Sequence, residues 1–201
     1  SGRTVDGLSE FDQYGWVELH KTNQILDNGL FLHISERDGY QHLYLERTDG
    51  RFTVPVTSGQ WEVKNVVHVD EQNEVIYFMA NKKSVLDNHL YSVRFDGTSL
   101  KLLTPEKGTH SINPSPNWDF FTTTYSTTTS SPITLLKDNE GNTLKTLAES
   151  DISELKENDW QEPVEFNVKA RDGETDIYGL MYFPSFYSDN GKYPVLNYIY
   201  P

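Results

Sequence analysis

Three groups of side chains in this sequence have types that could act together. Ser35, Glu36 and Asp38 place a hydroxyl and two carboxylates close along the chain, as an acid–base step requires. Ser and Asp also bond neighbouring backbone N–H groups where a strand ends, and Ser35 to Gly39 reads as such a turn. His110 and Ser111 set a base beside a nucleophile. Neighbouring strand residues point to opposite faces, however, so the hydrogen bond that activates a serine does not form there. The histidines at positions 20, 33, 42, 68, 89 and 110 never fall at metal-ligand spacing on one expected face. The chain contains no G-x-S-x-G, H-E-x-x-H, Walker A loop, G-x-G-x-x-G or calcium-loop pattern.

His42 and His89 each precede Leu-Tyr and belong to a repeat. Leu30 to Gly59 reads as three alternating strands, with turns at Asp38-Gly39 and Asp49-Gly50. An Asp-Gly pair between alternating runs marks a hairpin, because glycine accepts the positive φ of a tight turn. His42-Leu43-Tyr44 returns as His89-Leu90-Tyr91, Asp49-Gly50 as Asp96-Gly97, and Thr57 as Thr104, each 47 positions on. A fainter third copy has Glu140-Gly141 44 positions after Asp96-Gly97, with Leu144 and Leu147 following Leu100 and Leu103 by the same step. Short strands at a period in the forties are the mark of β-propeller blades. A histidine recurring once per blade is expected to be structural, since a catalytic group is needed only once.

Around the repeats, Ser1 to Asp12 is polar and aperiodic, and regular structure is expected from a strand at Gly15 to Leu19. Asp27-Asn28-Gly29 is a turn. The first blade then runs from Leu30 and ends in a strand over Trp61 to Val69. Val75 to Met79 is an apolar strand buried on both faces, and Asn81 to Asn88 a polar loop. Leu90 to Phe95 and Leu100 to Leu103 form the next hairpin. Asn113-Pro114-Ser115-Pro116-Asn117 is a turn cluster, and a third blade is expected from Trp118 to about Leu147. Within it, Thr122 to Ser131 fits a strand or a loop, with a strand to Ser126 and then a loop favoured. Glu149 to Glu165 is acidic and forms a short helix or an extended linker ending by Pro163. Val164 to Val168 and Ile177 to Phe183 form a hairpin about Asp172-Gly173. Tyr193 to Tyr200 reads as a largely apolar strand whose partners lie outside the sequence.

Composition narrows the classes. The 201 residues carry a net charge of −13, which disfavours nucleic acid and anionic membrane as partners. Hydrophobic content is 36% and aromatic content 13%, a balance suited to twisted sheets. Cysteine is absent, which excludes a disulfide framework and thiolate metal sites. No apolar run reaches membrane-span length and none resembles a signal peptide, so the chain reads as soluble, with any export signal upstream.

Gly15-Trp16-Val17, Ser35-Glu36-Arg37-Asp38-Gly39-Tyr40 with His42-Leu43-Tyr44, and Gly59-Gln60-Trp61-Glu62-Val63 come in a particular order. Val75 to Met79, His89-Leu90-Tyr91-Ser92-Val93, Lys192-Tyr193-Pro194-Val195 and Tyr200-Pro201 complete it. Taken together, from about Gly15 to Pro201, these stretches resemble the dipeptidyl peptidase IV branch of the prolyl oligopeptidase family. The resemblance implies an all-β chain: a partial β-propeller of about three four-stranded antiparallel blades, followed by the first strands of a truncated α/β-hydrolase domain. It divides the sequence into a lead-in (1–14), blades (15–147), an acidic connector (148–163) and hydrolase strands (164–201).

By the same resemblance, the parent is a secreted, cell-surface or periplasmic serine exopeptidase. It releases Xaa-Pro or Xaa-Ala dipeptides from peptides with a free N-terminus and needs no cofactor or metal. The propeller would gate and shape the substrate cavity. The nucleophile, Asp and His would lie after Pro201, and the glutamates that hold the substrate amine before Ser1, leaving this chain inactive. Tyr200 matches the family's oxyanion-hole tyrosine, and His20 and Lys21 match a propeller position that lines the outer substrate pocket. Two other readings stand beside this one: a non-catalytic propeller that binds partners, and an unrelated sugar-binding or lyase propeller, against which the Tyr193-Pro194 exit strand argues. Three blades would leave open ends, and the chain is expected to self-associate.

Overall fold

The computed structural model describes residues 23–47 and 53–199. The lead-in, the expected strand Gly15 to Leu19 and the Asp49-Gly50 turn lie outside the described residues. The chain forms two compact units, one holding the chain to Thr127 together with Pro132–Glu149, the other Thr128–Ser131 and the chain from Ser150.

The first unit contains three four-stranded antiparallel meanders in which neighbours in sequence are neighbours in the sheet. The first comprises β1 (Asn23–Ile25), β2 (Leu30–Ser35), β3 (His42–Arg47) and β4 (Thr53–Pro55). The second comprises β5 (Val63–Asp70), β6 (Val75–Ala80), β7 (His89–Arg94) and β8 (Lys101–Leu102). The third comprises β9 (Thr109–Pro114), β10 (Phe120–Thr127), β11 (Ser130–Asp138) and β12 (Thr143–Glu149). This is the expected blade architecture.

The phase of the blades differs from expectation. The strand after Trp61 does not close the first sheet; β5 opens the second, pairing Val63 with Ala80 and Asp70 with Val75. The fourth place in the first sheet is held by β4, and β1, not foreseen, supplies the first. The third sheet likewise begins at Thr109 rather than Trp118. Pro114 ends β9 opposite Phe121, where the missing N–H interrupts no ladder. The Thr/Ser run holds no long loop: β10 continues to Thr127 and β11 starts at Ser130, in keeping with the β preference of threonine.

Sheet-on-sheet packing follows from period-two alternation. On β6, Ile76, Phe78 and Ala80 join Leu32, Ile34, Leu43 and Leu45 of the first sheet in one apolar cluster. Tyr77 and Met79, on the opposite face, join Leu90, Leu103, Trp118 and Phe121 toward the third sheet. The double-sided burial expected of Val75 to Met79 is therefore real, and each fully buried side chain contributes about 1.5–3 kcal/mol. The two seams are unequal: among the described residues the first gathers fourteen buried apolar residues and the second six.

Turn glycines hold the sheets close. Gly97, between β7 and β8, has φ +80°, and a Cβ there would lie 3.1 Å from the Val56 carbonyl oxygen. Gly141, between β11 and β12, has φ +87°, and a Cβ there would lie 2.6 Å from the Leu103 carbonyl oxygen. Val56 and Leu103 are equivalent positions of the 47-residue repeat, so the same contact is made twice.

In the second unit, α1 (Ser153–Glu157) buries none of its residues, and Asp159 at φ +58° follows its end, before Pro163 is reached. β13 (Val164–Lys169) pairs with β14 (Asp176–Met181), Val164 opposite Met181 and Lys169 opposite Asp176. The turn is at Asp172-Gly173, as expected, with Gly173 at φ +74°. Residues 191–199 are not strand, in contrast to the expectation for Tyr193 to Tyr200. A strand exists only through hydrogen bonds to a neighbour, and among the described residues none pairs with this segment. Its apolar side chains are out in solvent, Leu196 97% exposed.

Candidate functional site

Around Ser35 the residues form the turn that the sequence suggested. Ser35 Oγ accepts from Arg37 N at 3.3 Å and Arg37 Nε at 2.9 Å. Glu36 accepts from Gln41 Nε2 at 2.7 Å, and Asp38 accepts from the Tyr44 hydroxyl. Arg37 donates to buried Glu46 at 2.7 Å while its guanidinium lies 4.4 Å from the centre of the Tyr44 ring. These side-chain bonds close the β2–β3 hairpin. On β9, His110 is buried while Ser111 is exposed, so the two form no dyad.

The most developed polar cluster lies in the second seam. Lys137, on β11, alternates in phase with buried Leu135 and is only 1% exposed. Its Nζ donates to Glu106 Oε1 at 2.6 Å, Thr143 Oγ1 at 2.9 Å and the Gly141 carbonyl at 3.3 Å. Register shifts in the β11–β12 ladder skip Leu144 and Leu147, and they bring Thr143 opposite Lys137. Glu106, on the connection from β8 to β9, is held a second time, its carbonyl accepting from His110 Nε2 at 2.9 Å.

Hydrogen-bond chemistry settles the imidazole tautomers. A carbonyl only accepts, so His110 carries its proton on Nε2, and Nδ1 accepts from Thr123 Oγ1 at 2.9 Å. His89 Nδ1 donates to the Thr104 carbonyl at 2.7 Å, which leaves Nε2 as a bare acceptor, buried and without a partner among the described residues. The His89 and His110 rings are 5.0 Å apart, and Tyr125 stacks on His110 at 4.9 Å. Burial above all pushes His110 down to about 4, with the nearby His89 and Lys137 adding to the shift against the opposing pull of Glu106. Burial likewise lowers His89, opposed mainly by its bond to Thr104.

The first repeat handles the same groups differently. His42 bonds Thr57 Oγ1 through Nδ1 at 3.0 Å and the Gly59 carbonyl through Nε2 at 2.9 Å, and both ring nitrogens are used. The threonine is constant: Thr57 Oγ1 accepts from Leu43 N and Thr104 Oγ1 from Leu90 N, both at 2.9 Å. The repeated histidines are thus blade-fixing residues, as the repeat implied. Glu106 and Lys137 went unnoticed in the sequence, although a lysine in phase with apolar residues on a strand signals a buried acid partner.

Tyr200, His20 and Lys21, which the family resemblance marked, lie outside the described residues. Among the described residues no three His, Cys, Asp or Glu side chains are grouped to hold a metal ion.

Comparison with known proteins decides the family. The model for the dipeptidyl peptidase IV (DPP IV) N-terminal region matches residues 1–132. The chain belongs to the dipeptidyl peptidase IV family.

A probable dipeptidyl peptidase 4 of Arthroderma benhamiae is 29% identical over 195 residues, covering 90% of this chain and 24% of the relative. A probable dipeptidyl peptidase 4 of Emericella nidulans is 27% identical over 170 residues, covering 83% of this chain and 22% of the relative. The crystal structure of Porphyromonas gingivalis dipeptidyl peptidase 4 superposes with a TM-score of 0.72 at 22% identity, covering 87% of this chain and 25% of that one. The fold of this dipeptidyl peptidase IV-family chain is thereby that of the solved structure, and the chain spans about a quarter of the length of these relatives.

Proposed function

We propose that these residues belong to a serine exopeptidase that releases Xaa-Pro or Xaa-Ala dipeptides, with the blades shaping and gating its substrate cavity. One observation carries the reading: the family match over residues 1–132, with relatives aligned over up to 195 residues and so past the blades into β13 and β14. In this reading β13 and β14 are the opening strands of a hydrolase domain. Substrates are peptides with a free N-terminus, and the enzyme works in the periplasm, on the cell surface or outside the cell. No G-x-S-x-G occurs within the 201 residues, so the chain alone is inactive.

Within that scheme the Tyr200 hydroxyl donates a hydrogen bond to the oxyanion of the tetrahedral intermediate. A backbone N–H beside the nucleophile is the second donor. A donor of this kind lowers the barrier by about 3 kcal/mol. In the same reading His20 and Lys21 contribute to substrate binding. In a longer polypeptide that cleaves an Xaa-Pro chromogenic substrate, Tyr200→Phe lowers kcat far more than it raises KM. An unchanged kcat removes Tyr200 from the mechanism, and turnover by the 201-residue chain itself overturns its assignment as an inactive part.

A second reading is a propeller that binds partners without catalysis. The reading frame beyond Pro201 separates the two: a G-x-S-x-G followed by Asp and His supports the peptidase.

A further inference from the structure

The two seams of the first unit are built on one repeat, but a histidine at a valine position changes the hydrogen bonding of the second. Val63 N donates to the Gln41 carbonyl at 2.8 Å, and His110 N donates to the Asn88 carbonyl at 2.9 Å. Gln41 and Asn88 are 47 positions apart, as are Val63 and His110, so His110 stands where the first seam has a valine. Gly59 and Glu106 are equivalent in the same way. In the first seam the carbonyl of Gly59 is bonded by the repeat histidine, His42. In the second, His110 has taken the equivalent carbonyl of Glu106, and His89 turns instead to the Thr104 carbonyl. That exchange leaves His89 Nε2 bare and places two imidazoles 5.0 Å apart, both buried, one from each sheet.

We propose that the His89–His110 pair is an acid-sensitive latch between the second and third sheets, with no counterpart in the first seam. His89 faces Lys83 and Asp87 from the β6–β7 connection, Glu106 from the β8–β9 connection, and His110. His110 faces Lys137 on β11, Tyr125 on β10, and Glu106. Glu106 is already committed to Lys137, and with Asp87 the two carboxylates would face four cations, Lys83, Lys137 and both imidazoles, once the pair protonates. The second seam also has the smaller apolar cluster to fall back on.

The direction follows from linkage. Both imidazoles bind protons less readily folded than unfolded, so the unfolded or opened chain holds more protons below the ordinary imidazole range. The stability tied to the pair is complete at neutral pH. It declines as pH falls below about 6.5, the part tied to His110 being lost as pH passes through about 4 and the part tied to His89 through that group's own lowered value.

Thermal unfolding of the chain and of His110→Val, which restores the residue of the first seam, tests the latch. On acidification from pH 7 to pH 4.5, Tm of the unsubstituted chain falls by about 5 °C more than Tm of the variant. Hydrogen exchange, corrected for intrinsic rates, shows protection lost at β9 before β2 and β6. Should the variant not fold, ring-proton and 15N NMR of the unsubstituted chain decides alone, with His110 as the Nε2–H tautomer titrating near 4. Parallel decline of the two chains, or His110 titrating near 6.5, overturns the proposal.

Discussion

Lys137 Nζ lies 2.6 Å from Glu106 Oε1, joining two residues 31 positions apart and tying the third sheet to the chain that leaves the second. A lysine this deeply buried is tolerable only because its three donors all have acceptors, and the acceptors are fixed by other parts of the fold.

Removing one partner therefore costs more than removing both. Glu106→Gln strands a buried ammonium and is expected to lower unfolding free energy by about 3 kcal/mol. Lys137→Met with Glu106→Gln removes the charge altogether and costs clearly less. Urea titrations of the single and double variants form a cycle in which the double variant lies well below the sum of the singles. An additive result would mean that the pair does not act as a unit.

Gly141 is a stronger constraint than Gly173, although both have positive φ. A Cβ at Gly141 would lie 2.6 Å from the Leu103 carbonyl oxygen, whereas nothing is within 4 Å at Gly173. Gly173→Ala pays only the left-handed backbone penalty of about 1 kcal/mol. Gly141→Ala adds a backbone clash and is expected to cost about 2–3 kcal/mol more in denaturant unfolding. Equal losses would show that the sheets separate there without resistance.

The β13–β14 turn depends on one carboxylate. Asp172 accepts from Glu174 N, Thr175 N and Thr175 Oγ1, and these bonds, led by that of the Thr175 side chain, hold its carboxyl below the usual aspartate range. The contribution is present above pH 4 and is lost as pH falls through the lowered folded value. Asp172→Ala is expected to speed amide exchange at Glu174 and Thr175 at neutral pH, while the first unit is unchanged.

Exposed apolar side chains on the second unit, among them Val164, Phe166, Val168, Ile177 and Leu180, invite association between copies. Light scattering of the 201-residue chain is expected to show species heavier than a monomer, reduced by Val168→Lys with Ile177→Lys. A monodisperse monomer at high concentration would count against this.

Local features were readable in the sequence because their causes are local. Gly39 and Gly97 stand at turns because a tight turn needs positive φ, and β6 was legible as doubly buried from its unbroken apolar run. The 47-residue step from His42 to His89 announced a blade, and the blade is there. Where one blade stops and the next begins was not readable. β5 alternates equally well as the last strand of one sheet or the first of the next, and only its hydrogen bonds to β6 choose.

The amino-acid order alone determined the repeat, its turns and an all-β build, since glycine conformation, strand alternation and periodicity are properties of short stretches of chain. Only the folded arrangement decided that Glu106 meets Lys137, and that His110 takes a carbonyl which the repeat elsewhere reserves for its own histidine. Those contacts join residues far apart in sequence, and their chemistry exists only once packing has removed the solvent that would otherwise serve each group.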